Sequence, residues 1–208
     1  MPSPHLRPAE ATDLDAVCDL LTDVFLVDPL MSAIAGAAPD PRAALEHLHR
    51  VELSATYLNS EYSGAMVDLA VDDAGHLIGV TLWDAPAGPL RPYDETPAGL
   101  DLNLLGEAWE LCLLDGAMCE AKRPQEPHWY LYMIAVAPHA RGTGTGAALL
   151  RRGLERVDAD VTAAHLEATT RRAASFYERH GFVDSAILDS EGRLPTYWAM
   201  TRPKRRQH

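Results

Sequence analysis

"HARGTGTGAALL", residues 139–150, is the stretch on which the reading of this chain turns. Gly142, Gly144 and Gly146 alternate with Thr143 and Thr145, and Arg141 stands in front of them. Upstream, "HWYLYMIAVA" (128–137) is apolar on both faces, as a central strand is. Downstream, "GAALLRRGLERVD" (146–158) repeats its apolar residues at helical spacing. A loop that leads from a strand into a helix aims unpaired amides, and about half a positive charge, at one point. Glycines clear side chains from that approach and permit the positive φ that folds amides inward. Arg141 adds a fixed cation. The stretch reads as a phosphate cradle.

The spacing sorts among phosphate-binding loops. A Walker loop ends in glycine, lysine and a hydroxyl residue, and no lysine follows these glycines. A dinucleotide fingerprint needs a third glycine where Leu149 stands. Glu167 does end the next strand, about where a ribose-binding acid would sit, yet only one βαβ unit is visible and it comes late. The remaining pattern is R-x-x-G-x-G, filled by Arg141, Gly144 and Gly146. Further on, "SFYERHGF" (175–182) supplies Y-x-x-x-G-F through Tyr177, Gly181 and Phe182. In this order the motifs resemble those of the GNAT acyltransferases, whose glycine loop binds the pyrophosphate of acetyl-CoA. Residues 121–203, with "RPQEPHWYLYMIAVAPHARGTGTG" and "TYWAMTRP", resemble actinobacterial GNATs that acetylate an aminonucleoside antibiotic.

The resemblance implies an α/β fold: a central mixed, mostly antiparallel β-sheet flanked by helices on both faces. It implies a single domain over 1–208, with acceptor-binding elements in 5–120 and the acetyl-CoA half in 121–203. The implied reaction is direct acetyl transfer from acetyl-CoA, as co-substrate, to the primary amine of a small molecule. Tyr177 would protonate the departing thiolate. A backbone N–H among Ile134, Ala135 and Val136, with Val136 preferred, would hold the oxyanion. Arg141, Gly142, Thr143, Gly144, Thr145, Gly146, Thr170, Ser175 and Tyr177 would contact the co-substrate. Arg171 and Arg172 are divided between phosphate contact and a solvated helix start. For the acceptor, Asp28, Glu107, Glu110, Tyr130 and Tyr132 are candidates, and with His128 several of these are also candidates for the base, which stays open. A non-catalytic binding module and a protein-lysine acetyltransferase are the alternative readings.

Bulk properties narrow the partners. A net charge of −12 excludes a general nucleic-acid binder and accords with a cationic substrate. Three cysteines without a C-x-x-C pair fit neither a disulfide framework nor a zinc knuckle, and there is no H-E-x-x-H, so no metal is expected. His47 and His49, two apart, would point away from each other on a helix. No apolar run approaches a membrane span and no signal-like segment opens the chain, so a cytoplasmic monomer or homodimer is expected.

Along the chain, helices are expected at 13–25, capped by Thr12 or Asp13, after Pro29, and from Pro41. "AMVDLAV" and "HLIGVTLWDA" form a hairpin across "DDAG". A proline-spaced loop covers 86–97, followed by a long helix bent near Gly106. "AAHLEATT", "FVDSAIL" and "PTYWAMT" are the late strands, the last two a hairpin around "DSEGR".

Overall fold

The computed structural model describes residues 4–59, 64–86 and 97–205. The proline-spaced loop expected at 86–97 falls, at 87–96, outside the described residues. Among the described residues seven strands form one sheet: β1 (His5–Pro8), β2 (Ala65–Val71), β3 (Leu77–Asp84), β4 (His128–Val136), β5 (Ala163–Ala168), β6 (Val183–Leu188) and β7 (Tyr197–Arg202). Their order is β1-β2-β3-β4-β5-β7-β6. Every pairing is antiparallel except β4 with β5. The sheet is thus mixed and mostly antiparallel. The late hairpin forms, but β7 rather than β6 pairs with β5.

Helices cover both faces. On one lie α1 (Leu14–Phe25), α2 (Pro29–Ala35), α3 (Pro41–Glu52) and α5 (Ala108–Glu120), burying Leu21, Ile34, Leu45 and Ala108. On the other lie α6 (Thr145–Ala159) and α7 (Arg171–Glu178), burying Leu150, Leu154 and Ala174 against Trp83, Trp129 and Leu166. Contact between α6 and the sheet is close because position 153 is glycine: a Cβ there would lie 2.4 Å from the Trp83 ring. Under the same helix, fully buried Asp68 of β2 is held by Arg152 (2.7 Å) and Arg156 (2.6 Å). Among the described residues no helix is long and apolar enough to cross a membrane.

Local chemistry explains the element ends. Asp28 and Asp40 cap α2 and α3, each followed by proline at the first helical position. The expected cap of α1 differs. Asp13 ends a short 3-10 turn, and its carboxylate turns back to the Glu10 amide (2.8 Å) and the Arg7 guanidinium (2.6 Å), so it does not cap α1. The long helix is broken rather than bent. Gly106 adopts φ +54, ending α4 (Leu102–Leu105) before α5 starts. α3 runs on as a π-helical turn, Leu53–Tyr57.

Candidate active site

The glycine loop is built for open amides. After a 3-10 turn at Pro138–Ala140, Gly142 (φ +78) and Gly144 (φ +94) take the left-handed conformation, and Gly144 caps α6. Among the described residues nothing lies within 4 Å of where either Cβ would be, so the loop faces open space there. Thr143 donates to the Ala140 carbonyl (2.7 Å) and meets buried Thr145 (2.9 Å). The two threonines therefore brace the loop from inside instead of reaching out. The amides of Gly142 through Ala147 donate to no acceptor among the described residues. With the fifteen-residue α6 behind them they present a partial positive charge of the kind that favours an anion. Arg141 is exposed, has no carboxylate partner among the described residues and touches the Val136 carbonyl through Nε (3.3 Å). Gly146 has ordinary backbone; a Cβ there would stand 3.4 Å from Val136 and 3.8 Å from Phe176, so the glycine keeps the floor low.

The strand leading to the loop is irregular in two useful ways. Leu131 pairs with Trp83 and Met133 with Leu82, so Tyr132 is an extra, bulged residue. The bulge shifts the alternation by one. Trp129, Leu131 and Ile134 face α6 and α7, while Tyr132, Met133 and Ala135 face α1. Beyond the bulge β4 also parts from β5: only His128–Tyr130 pair with Ala163–His165. One edge of β4 then faces a gap. The Ala137 amide bonds to the Ile78 carbonyl on β3 (2.9 Å), so by alternation Val136 and Ile134 direct N–H and C=O to the open edge. Ala135 does not reach the site, because its backbone faces β3 and its side chain is buried on the α1 face.

Across the gap stands α7. Thr170 caps it, accepting from the Ala173 amide (3.1 Å). At its other end the Phe182 amide reaches back to the Tyr177 carbonyl (3.2 Å) over Gly181 at φ +89, which is the physical content of Y-x-x-x-G-F. The Tyr177 ring is packed against Phe176 and Phe182 and is 6% exposed. Its hydroxyl has no hydrogen-bond partner among the described residues and lines the cavity. Burial, with the Asp28 charge, pushes its phenol well above the ordinary 10, so it stays protonated. Arg172 and Arg179 also line the cavity. Ser175 is exposed on the outer side, with its carbonyl engaged by Arg179 (2.8 Å). Arg171 turns to Asp184 (2.7 Å) and stacks 4.0 Å over Trp198, so of the Arg171–Arg172 pair it is Arg172 that lines the cavity.

The cavity, of about 1020 Å³, runs from the glycine loop past Tyr177 to α2, α3 and α5. Its far end carries Asp28, Glu52, Asp115 and Glu167 among apolar walls such as Phe25, Met31 and Trp109. Tyr132 donates to Glu52 (2.5 Å), Tyr130 to Glu167 (2.6 Å), and the Thr169 hydroxyl to Asp28 (2.5 Å). Thus Asp28, Tyr130 and Tyr132 come together. Glu107 and Glu110 do not: both are exposed and off the lining. His128 turns to the Glu126 carbonyl (2.8 Å). Glu52, Asp115 and Glu167 were not singled out as acceptor contacts from sequence. The available signal was a lone charge on an otherwise apolar face, between Cys112 and Cys119 for Asp115 and inside "AAHLEATT" for Glu167. Among the described residues no group of three His, Cys, Asp or Glu is arranged to hold a metal.

Known proteins share this fold. The family described as "Acetyltransferase (GNAT) domain" matches residues 110–184. A Corynebacterium glutamicum crystal structure, described as histone acetyltransferase HPA2 and related acetyltransferase, is 32% identical over 99% of both chains, with a TM-score of 0.72. A phosphinothricin acetyltransferase of the GNAT superfamily from Sinorhizobium meliloti, in complex with AcCoA, is 18% identical over 98% of this chain and 89% of its own (TM-score 0.59). Arylalkylamine N-acetyltransferase 2 from Aedes aegypti is 13% identical over 97% and 99% (TM-score 0.65). At those identities the last two share the fold.

Proposed function

Because the chain belongs to the GNAT family of acetyltransferases, we propose that it transfers acetyl from acetyl-CoA to the primary amine of a small molecule, by direct attack in a ternary complex. The observation that carries this reading is one cavity with two ends of opposite character. Free amides and Arg141 at one end fit a pyrophosphate. Four carboxylates at the other fit an ammonium. Acetyl-CoA, when bound, supplies the thioester. Arg141 and the amides of Gly142–Ala147 hold its pyrophosphate, and Thr143 and Thr145 act from within the loop. The Val136 N–H, on the open edge of β4, stabilises the oxyanion, with Ile134 alongside. Tyr177 donates its proton to the departing sulfur, and Thr170 positions its helix.

The acceptor we favour is an aminonucleoside of the puromycin type. The likeness of residues 121–203 to puromycin N-acetyltransferase supports it, as does the mixture of carboxylates and aromatic walls. Thiol release from acetyl-CoA over a panel of amines, with puromycin, arylalkylamines and a lysine peptide included, tests the reading. Release with a small amine is expected. Tight CoA binding without release from any amine would make the chain a binding module instead. In the same assay Tyr177→Phe should lower kcat about 10²-fold or more, much more than it changes acetyl-CoA affinity. An unchanged kcat removes Tyr177 from the acid role.

A further inference from the structure

Of the four carboxylates on the cavity, three face one another, Asp28, Asp115 and Glu167, and they differ in what their oxygens already hold. Asp28 is engaged on both: Oδ1 accepts from the Leu30 (3.0 Å) and Met31 (3.2 Å) amides, Oδ2 from the Thr169 hydroxyl. Glu167 is engaged on both: Oε1 meets His165 Nε2 (3.1 Å), and Oε2 accepts from the Tyr130 hydroxyl. Asp115 is different. Its two donors, the Tyr197 hydroxyl (2.5 Å) and the Cys119 thiol (3.9 Å), both reach Oδ1. Oδ2 has no partner among the described residues, and Asp115 lines the cavity. In the same cavity the Tyr177 hydroxyl is likewise unpartnered among the described residues, on a side chain more than nine-tenths buried. One unengaged acceptor and one unengaged donor are what an amine entering with its protons, and a thiolate leaving without one, require.

We propose that Asp115 is the general base of the reaction, taking the ammonium proton of the acceptor on Oδ2. This rests on the amine-acetyltransfer reading above. The groups facing the carboxyl are Glu167 from β5, Asp28 before α2, Tyr197 from β7, and Cys112 and Cys119 from α5 itself. Burial raises the carboxyl, and the charges of Glu167 and Asp28 raise it further. The hydrogen bonds from Tyr197 and Cys119 lower it, and the result is about 6. Asp115 is thus mostly ionised at neutral pH and far more basic than an exposed aspartate. The protons balance as follows. The ammonium gives one proton to Asp115, which passes it to solvent. The free amine forms the C–N bond as the C–S bond breaks. Sulfur takes the Tyr177 proton, and the second nitrogen proton restores the phenol. The net change is one amide, one thiol and one released proton.

The test is the pH dependence of kcat/KM, from pH 5 to 9, with two acceptors of one shape: an alkylamine, and a weakly basic amine that is already uncharged at neutral pH. The wild-type chain should lose activity on the alkylamine as pH falls through about 6. Asp115→Asn should lower kcat on the alkylamine about 10²-fold or more, and on the weakly basic amine by much less, with acetyl-CoA affinity unchanged. Tyr197→Phe keeps the carboxylate and removes a donor, so it should move the acid limb to higher pH; this variant reads the same group if Asp115→Asn does not fold. Equal losses on both amines, or wild-type kcat in Asp115→Asn, or an unmoved limb in Tyr197→Phe, would overturn the assignment. Absence of thiol release from the wild-type chain with any amine would overturn the acetyl-transfer reading and the base with it.

Discussion

Gly144 shows how much a single residue without a side chain decides. Its φ of +94 turns the chain so that the first amides of α6 point outward together. Gly144→Ala would hold an L-residue in a left-handed conformation at a cost of about 1–2 kcal/mol, and would place a methyl in the anion's approach. Acetyl-CoA affinity should fall, measured by calorimetry, while the fold survives; unchanged affinity would show that the loop does not hold the phosphate. Gly144 was legible because glycine spacing is itself the signal, and so was Tyr177 within Y-x-x-x-G-F. Asp115 and Glu167 were not. A carboxylate in an apolar segment announces burial, but only the tertiary fold shows that α5 and β5 present both to one cavity.

At the scale of elements, the sheet-and-helix order was read from periodicity, and its departures came from long-range pairing. The bulge at Tyr132 depends on the register with β3, and the insertion of β7 beside β5 on a pairing across more than thirty residues. Periodicity along one strand contains neither. The seating of α6 was equally hidden, since Gly153 matters only because Trp83 lies beneath it. Gly153→Ala should destabilise the chain by about 1–3 kcal/mol through overpacking, seen as a lower denaturant midpoint. Wild-type stability would mean that the indole can slide aside.

For the whole molecule, buried titratable groups set how stability answers to pH. Asp84 accepts from Tyr57 (2.9 Å) and is pushed up to about 7, mainly by burial and then by the charge of Glu52. A carboxyl raised in the folded state binds its proton longer than in the unfolded chain. Between about pH 4 and 7 its contribution to stability therefore declines as pH rises. His49 works the other way: burial lowers it to about 4, so its contribution is present above 6.5 and lost as pH falls below that. Asp84→Asn removes only the first effect. It should raise Tm at pH 8 by a few °C, roughly what one or two kcal/mol gives a chain of this size, and leave Tm at pH 4 nearly unchanged. An equal shift at both pH values would refute the titration.

The parting of β4 from β5 makes the sheet two leaves stitched at one end by three residue pairs. Past the last stitch, the Ile134 and Val136 amides have no neighbouring strand among the described residues. An occupant lying along that seam would act as a missing strand. Hydrogen exchange should then slow at these two amides when CoA is added and stay constant at Ala135, whose amide is already sealed against β3. The protein would close its own sheet only while holding its co-substrate.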